Sequence, residues 1–68
     1  MQISARNQLK GRIASLKIDG LMAEVVIDLG AGQQLVSVIT RSSAEGLGLK
    51  EGDSVTAIVK STEVMVAK

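Results

Sequence analysis

Residues Gln34–Lys60 read QLVSVIT, then RSSAEGLGLKEGD, then SVTAIVK, and the order of these three pieces decides the fold. In Gln34–Thr40, Leu35 and Ile39 alternate with Val36 and Val38, the period of a strand in a β-branched composition. Ser42-Ser43-Ala44-Glu45 has the spacing of a capping box. It predicts a short helix with Ser42 as cap and Glu45 reaching back to it. Gly48 stands where a glycine closes such a helix. Gly52-Asp53 turns the chain, and Ser54–Lys60 is again a strand, with Val55, Ala57 and Val59 on one face. A single short helix therefore separates two strands.

Upstream, Leu9–Ile18 reads as a first strand. Leu9, Gly11 and Ile13 share one face, and the later shift to Leu16 and Ile18 predicts a bulge. Asp19-Gly20 is a hairpin signal. Met22–Leu29 forms the second strand and Gly30-Ala31-Gly32 the next turn. Downstream, Glu63–Val66 is expected to be a final strand. Three strands, a short helix and two strands make an all-β domain over residues 1–68. This is the element order of the OB-fold, a five-stranded Greek-key barrel with a short helix between strands three and four. An SH3-like barrel or an open meander accommodates the pattern nearly as well.

Composition narrows the function. Sixty-eight residues bury only about 60% of their unfolded surface, so a domain of this size is marginal alone. There is no Cys or His for a disulfide or zinc site, and no Phe, Tyr or Trp for a large core. Yet 46% of the residues are hydrophobic. Strands three, four and five carry apolar side chains on both faces, which predicts burial between subunits. The net charge of +1 lacks the basic stripe of a nucleic-acid or anionic-membrane partner. No apolar run approaches the ~18 residues of a membrane span, and the first residues lack the order of a signal peptide. Cytoplasmic localisation is expected. Without His, Cys or paired carboxylates on one element, the chain is not expected to be an enzyme.

Two polar segments remain, Ser4-Ala5-Arg6-Asn7 and Lys60-Ser61-Thr62. Each offers hydroxyls, backbone N–H groups and one fixed positive charge, and neither holds a carboxylate. A doubly charged tetrahedral oxyanion needs about two cations and several directed donors. Arg6 and Lys60 would supply the charge; Ser4, Ser61, Thr62 and free backbone N–H groups would supply direction. Taken singly, each segment reads first as a solvated arm or turn; the two together make the case for an anion. Gly30-Ala31-Gly32 is a hairpin turn rather than a phosphate loop, since no helix follows it.

Ile3-Ser4-Ala5-Arg6-Asn7-Gln8-Leu9-Lys10-Gly11 resembles the opening of the molybdopterin-binding-protein-like (Mop) family, the molbindins. Gly48-Leu49-Lys50-Glu51-Gly52-Asp53 and Val55–Val64, with its Lys60-Ser61-Thr62, resemble that family's closing half. The resemblance implies a TOBE-like OB-fold module that binds molybdate or tungstate and has no covalent cofactor. It also implies the free-standing type, which stores the oxyanion and serves molybdenum homeostasis. Family members assemble as hexamers, trimers of dimers, with oxyanions bound between subunits. Carried over, the oxyanion-binding residues are Ser4, Ala5, Arg6, Lys60 and Ser61, with Asn7 and Thr62 in support. Binding of the pterin cofactor itself is disfavoured, because no aromatic is present to stack on it. The competing reading is a small oligomeric β-barrel interaction module that binds another anion or a protein partner.

Overall fold

The computed structural model describes residues 2–68; Met1, the first residue of the expected domain, lies outside them. Four antiparallel strands, β1 (Asn7–Asp19), β2 (Met22–Gly30), β3 (Gln33–Thr40) and β4 (Ser54–Val59), form one sheet in the order β3-β2-β1-β4. A single helix, α1 (Arg41–Gly46), lies between β3 and β4. The sheet is curled into a half-barrel of the OB type.

The bend comes from the expected bulge. Ile13 pairs with Ile27 but Ser15 pairs with Val26, so Ala14 is the extra residue on β1. The insertion lets Ile13 and Leu16 both face the concave side. A second register shift, between Asp28 and Gly30, leaves Leu29 as the extra residue on β2. On β2, Ala23, Val25 and Ile27 are buried while Met22, Glu24 and Asp28 face out. Val25 and Ile27 join Ile13 and Ala57 at the centre of a small aliphatic core, flanked by half-buried Leu16, Leu35, Leu49 and Val55.

At Gly11 β1 leaves no room for a side chain against β2. A Cβ there would stand 2.6 Å from the Asp28 carbonyl oxygen and 2.7 Å from Ile27 Cγ2. Just ahead of β4's first rung, the chain engages both backbone polar groups of Ile13. The Ile13 N–H donates to the Asp53 carbonyl at 3.0 Å, and the Gly52 N–H donates to the Ile13 carbonyl at 2.8 Å.

The helix differs from expectation at its start. Its cap is Thr40, not Ser42: Thr40 Oγ1 accepts the Ser43 N–H at 3.1 Å. β3 runs extended through Thr40, so the last strand residue is also the residue where the backbone switches, and that position caps. Glu45 consequently does not reach back to Ser42; it faces Arg41 one turn away at 3.6 Å, both side chains exposed. The C-terminus follows expectation. Gly48, at φ 63°, donates its N–H to the Glu45 carbonyl, and the Leu49 N–H reaches the Ala44 carbonyl. These two bonds define a Schellman motif, and Leu49 is thereby delivered to the core.

The expected fifth strand is not formed. β4 ends at Val59 rather than Lys60, Ser61–Glu63 is one turn of 3-10 helix, and residues 64–68 pair with no described strand. β3 and β4 are the two unpaired sheet edges among the described residues, and they border an apolar cleft of about 640 Å³, lined among others by Leu35, Ile39, Leu49 and Val55. Val64, Met65 and Val66 stay exposed, as do Val36 and Val38 on the outer face of β3.

Candidate functional site

The β1–β4 ladder begins at the rung Asn7↔Val59 and continues through Gln8↔Ile58. One residue beyond that first rung lies Arg6 on one chain segment and Lys60 on the other. The ladder therefore sets the two polar segments side by side at one end of the sheet, within a single chain. Neither segment's own sequence shows this meeting. The signal that finds it is register: with Gly11 opposite Val55, the antiparallel count leads to Asn7 and Val59.

Each segment has its own local order. Ser4 sits in a bend ahead of β1, and Gln8 Nε2 donates to the Ala5 carbonyl at 2.7 Å, tying that bend to the strand. Gln8 is a residue that sequence reasoning did not single out, and nothing in its spacing marks it. On the other segment Lys60 is extended, at φ −67° and ψ 128°, and leads into the turn Ser61–Glu63. The Glu63 N–H closes that turn on the Lys60 carbonyl at 2.9 Å. Ser61 and Thr62 open it, where the first N–H groups of any helical turn have no partner inside it.

Of the seven predicted residues, Ser4, Arg6, Asn7, Lys60, Ser61 and Thr62 are exposed and Ala5 is half-buried. They form an open rim rather than a pocket. Arg6 and Lys60 have no carboxylate within ion-pair distance among the described residues, where the ion pair present is Arg41–Glu45. Lys60 also borders the apolar cleft between β3 and β4. No group of His, Cys, Asp or Glu that could hold a metal cation occurs among the described residues. The arrangement offers cationic and hydroxyl donors with both charges free, the chemistry of anion capture.

The TOBE domain family matches residues 3–66. Molybdenum-pterin-binding protein 2 of Clostridium pasteurianum is 52% identical over 66 residues, which are 97% of each chain. Among solved structures, a molybdate-binding protein from Sporomusa ovata superposes with a TM-score of 0.92 at 43% identity, covering 100% of both chains. The cytoplasmic molybdate-binding protein ModG, with molybdate bound, gives a TM-score of 0.82 at 48% identity over 88% of this chain and 43% of its own.

Proposed function

This chain belongs to the TOBE family, and from that premise we propose that it is a cytoplasmic molybdate- and tungstate-binding protein that stores the oxyanion. Its relatives' names carry the ligand class; the observation that carries the site is the rung Asn7↔Val59, which delivers Arg6 and Lys60 together. The two cations attract the dianion. The Ser4, Ser61 and Thr62 hydroxyls and the backbone N–H groups around Ala5 and Ser61 orient its oxygens, and Asn7 supports the first segment. Release is the reverse of capture, and no bond to molybdenum is made or broken. The role is binding rather than catalysis, performed by one domain over residues 1–68.

An open rim of exposed donors binds weakly, because water and salt screen each charge. A second copy laid over the rim would exclude water and strengthen every charge-assisted bond. The exposed Val36 and Val38, the apolar cleft and the unpaired Val64–Val66 supply surface for such an assembly. We place the oxyanion between subunits of a homohexamer, a trimer of dimers.

Titration calorimetry with molybdate tests the site. Lys60→Ala should weaken binding by about 1.5–3 kcal/mol, the scale of a hydrogen bond to a charged group, or roughly ten- to a hundredfold. Lys17→Ala, at the far end of β1 beside Glu24, should change it less than about twofold. Equal losses, or parental binding by Lys60→Ala, would remove these residues from the site. Native mass spectrometry with and without molybdate reads subunit number and bound oxyanions together; a persistent monomer would contradict the hexamer.

A further inference from the structure

The outer face of the β1–β4 ladder carries a second set of anion donors, separate from the rim at its end. Register places Lys10 opposite Thr56 and Arg12 opposite Ser54. Residues two apart on a strand share a face, so these four side chains stand together, while Gly11 and Val55 between them turn to the concave side. All four are exposed, and with Gly11 and Val55 they border a shallow hollow of about 500 Å³. Its polar lining is two long cations beside two short hydroxyls.

Neither cation is held in an ion pair: Lys10 and Arg12 have no carboxylate within ion-pair distance among the described residues. Asp28, across from Arg12 on β2, accepts the Gly30 N–H at 2.9 Å, and Asp53 accepts the Lys50 N–H at 3.1 Å. Each carboxylate keeps its charge and holds a backbone N–H of its own turn, and Asp28 shares the outer face with Arg12. Arg12 Nη1 reaches the Gly52 carbonyl at 3.4 Å, which keeps the guanidinium near the Ser54 end of the hollow.

We propose that this hollow is a second seat for a doubly charged tetrahedral oxyanion, held by Lys10 and Arg12 and oriented by the Ser54 and Thr56 hydroxyls. Two cations and two directed donors match the charge and shape of such an ion. Being shallow and open, the seat is weaker and more salt-sensitive than an enclosed site. It stands on its own residues and does not rest on the assignment of Arg6 and Lys60.

Equilibrium dialysis at low salt tests it, with molybdate and phosphate as separate probes. The parent, Lys10→Ala/Arg12→Ala, Ser54→Ala/Thr56→Val and Lys60→Ala are compared. A weak binding component should fall about tenfold or more in the first double variant and be weakened in the second. Lys60→Ala should leave that component in place. The hydroxyl variant guards against a folding defect, since it removes donors at nearly constant shape. Response to molybdate alone identifies the occupant as a metal oxyanion; response to both probes identifies a general tetrahedral-oxyanion seat. An unchanged isotherm in Lys10→Ala/Arg12→Ala overturns the proposal. So does loss of the weak component in Lys60→Ala. If Lys60→Ala binds like the parent while Lys10→Ala/Arg12→Ala loses binding, the rim assignment fails and this seat stands.

Discussion

Gly11 has no room for a side chain. A Cβ at that position meets backbone, the Asp28 carbonyl, and a core methyl of Ile27, so nothing flexible can yield. Gly11→Ala should cost about 1–3 kcal/mol by overpacking, measured as a lower urea midpoint with an unchanged slope. Ala31 has the opposite problem. It sits at φ 54° in the turn between β2 and β3 with no Cβ relief, a conformation that costs an L-residue about 1–2 kcal/mol. Ala31→Gly removes that strain but adds freedom to the unfolded chain. A net gain of up to about 1 kcal/mol in the same urea experiment is expected. A loss would mean that the turn is not strained.

Local pattern made most elements legible. Alternation in Met22–Leu29, the shift from Ile13 to Leu16 and the glycine after α1 are all signals that a single segment carries. The helix cap is not legible in the sequence because Thr40 belongs to two elements at once. As a β-branched residue ending an alternating run it reads as strand, and its capping role depends on where the backbone turns. Thr40→Ala should therefore destabilise by about 1 kcal/mol in thermal or urea melts, and Ser42→Ala by far less. The reverse order would restore Ser42 as the cap. Residues 63–66 look like a strand in composition, but a strand exists only beside an edge that receives it, and no sequence window reports that edge. The candidate rim shows the same limit. Its residue types were visible in the sequence, while their meeting depends on the pairing of β1 with β4 and on the rung at Asn7.

For the whole molecule, the small core sets the problem. Among the described residues six hydrophobics are buried, and three of these are alanines: Ala23, Ala44 and Ala57. Meanwhile β3 shows Val36 and Val38 to solvent and the cleft between the sheet edges stands open. Association would cover these surfaces and shift stability by mass action, so dilution should lower the melting temperature. Val36→Lys should shift the population toward smaller species in native mass spectrometry without disturbing Ile13, Val25 or Ile27. A parental subunit count in that variant would place the contact elsewhere.

The rung Asn7↔Val59 is also the last one before the ladder frays. Terminal pairs open and close far more often than central ones, and their amide protons exchange accordingly. An anion shared by Arg6 and Lys60 would act as a clasp across that opening, since each fraying event would pull its two cations apart. Occupancy would then be readable without any label on the ligand, as slowed hydrogen exchange that is greatest at Asn7 and Gln8 and fades along β1 toward the bulge at Ala14. The same clasp exacts an entropic cost, because it orders the two segments that it joins.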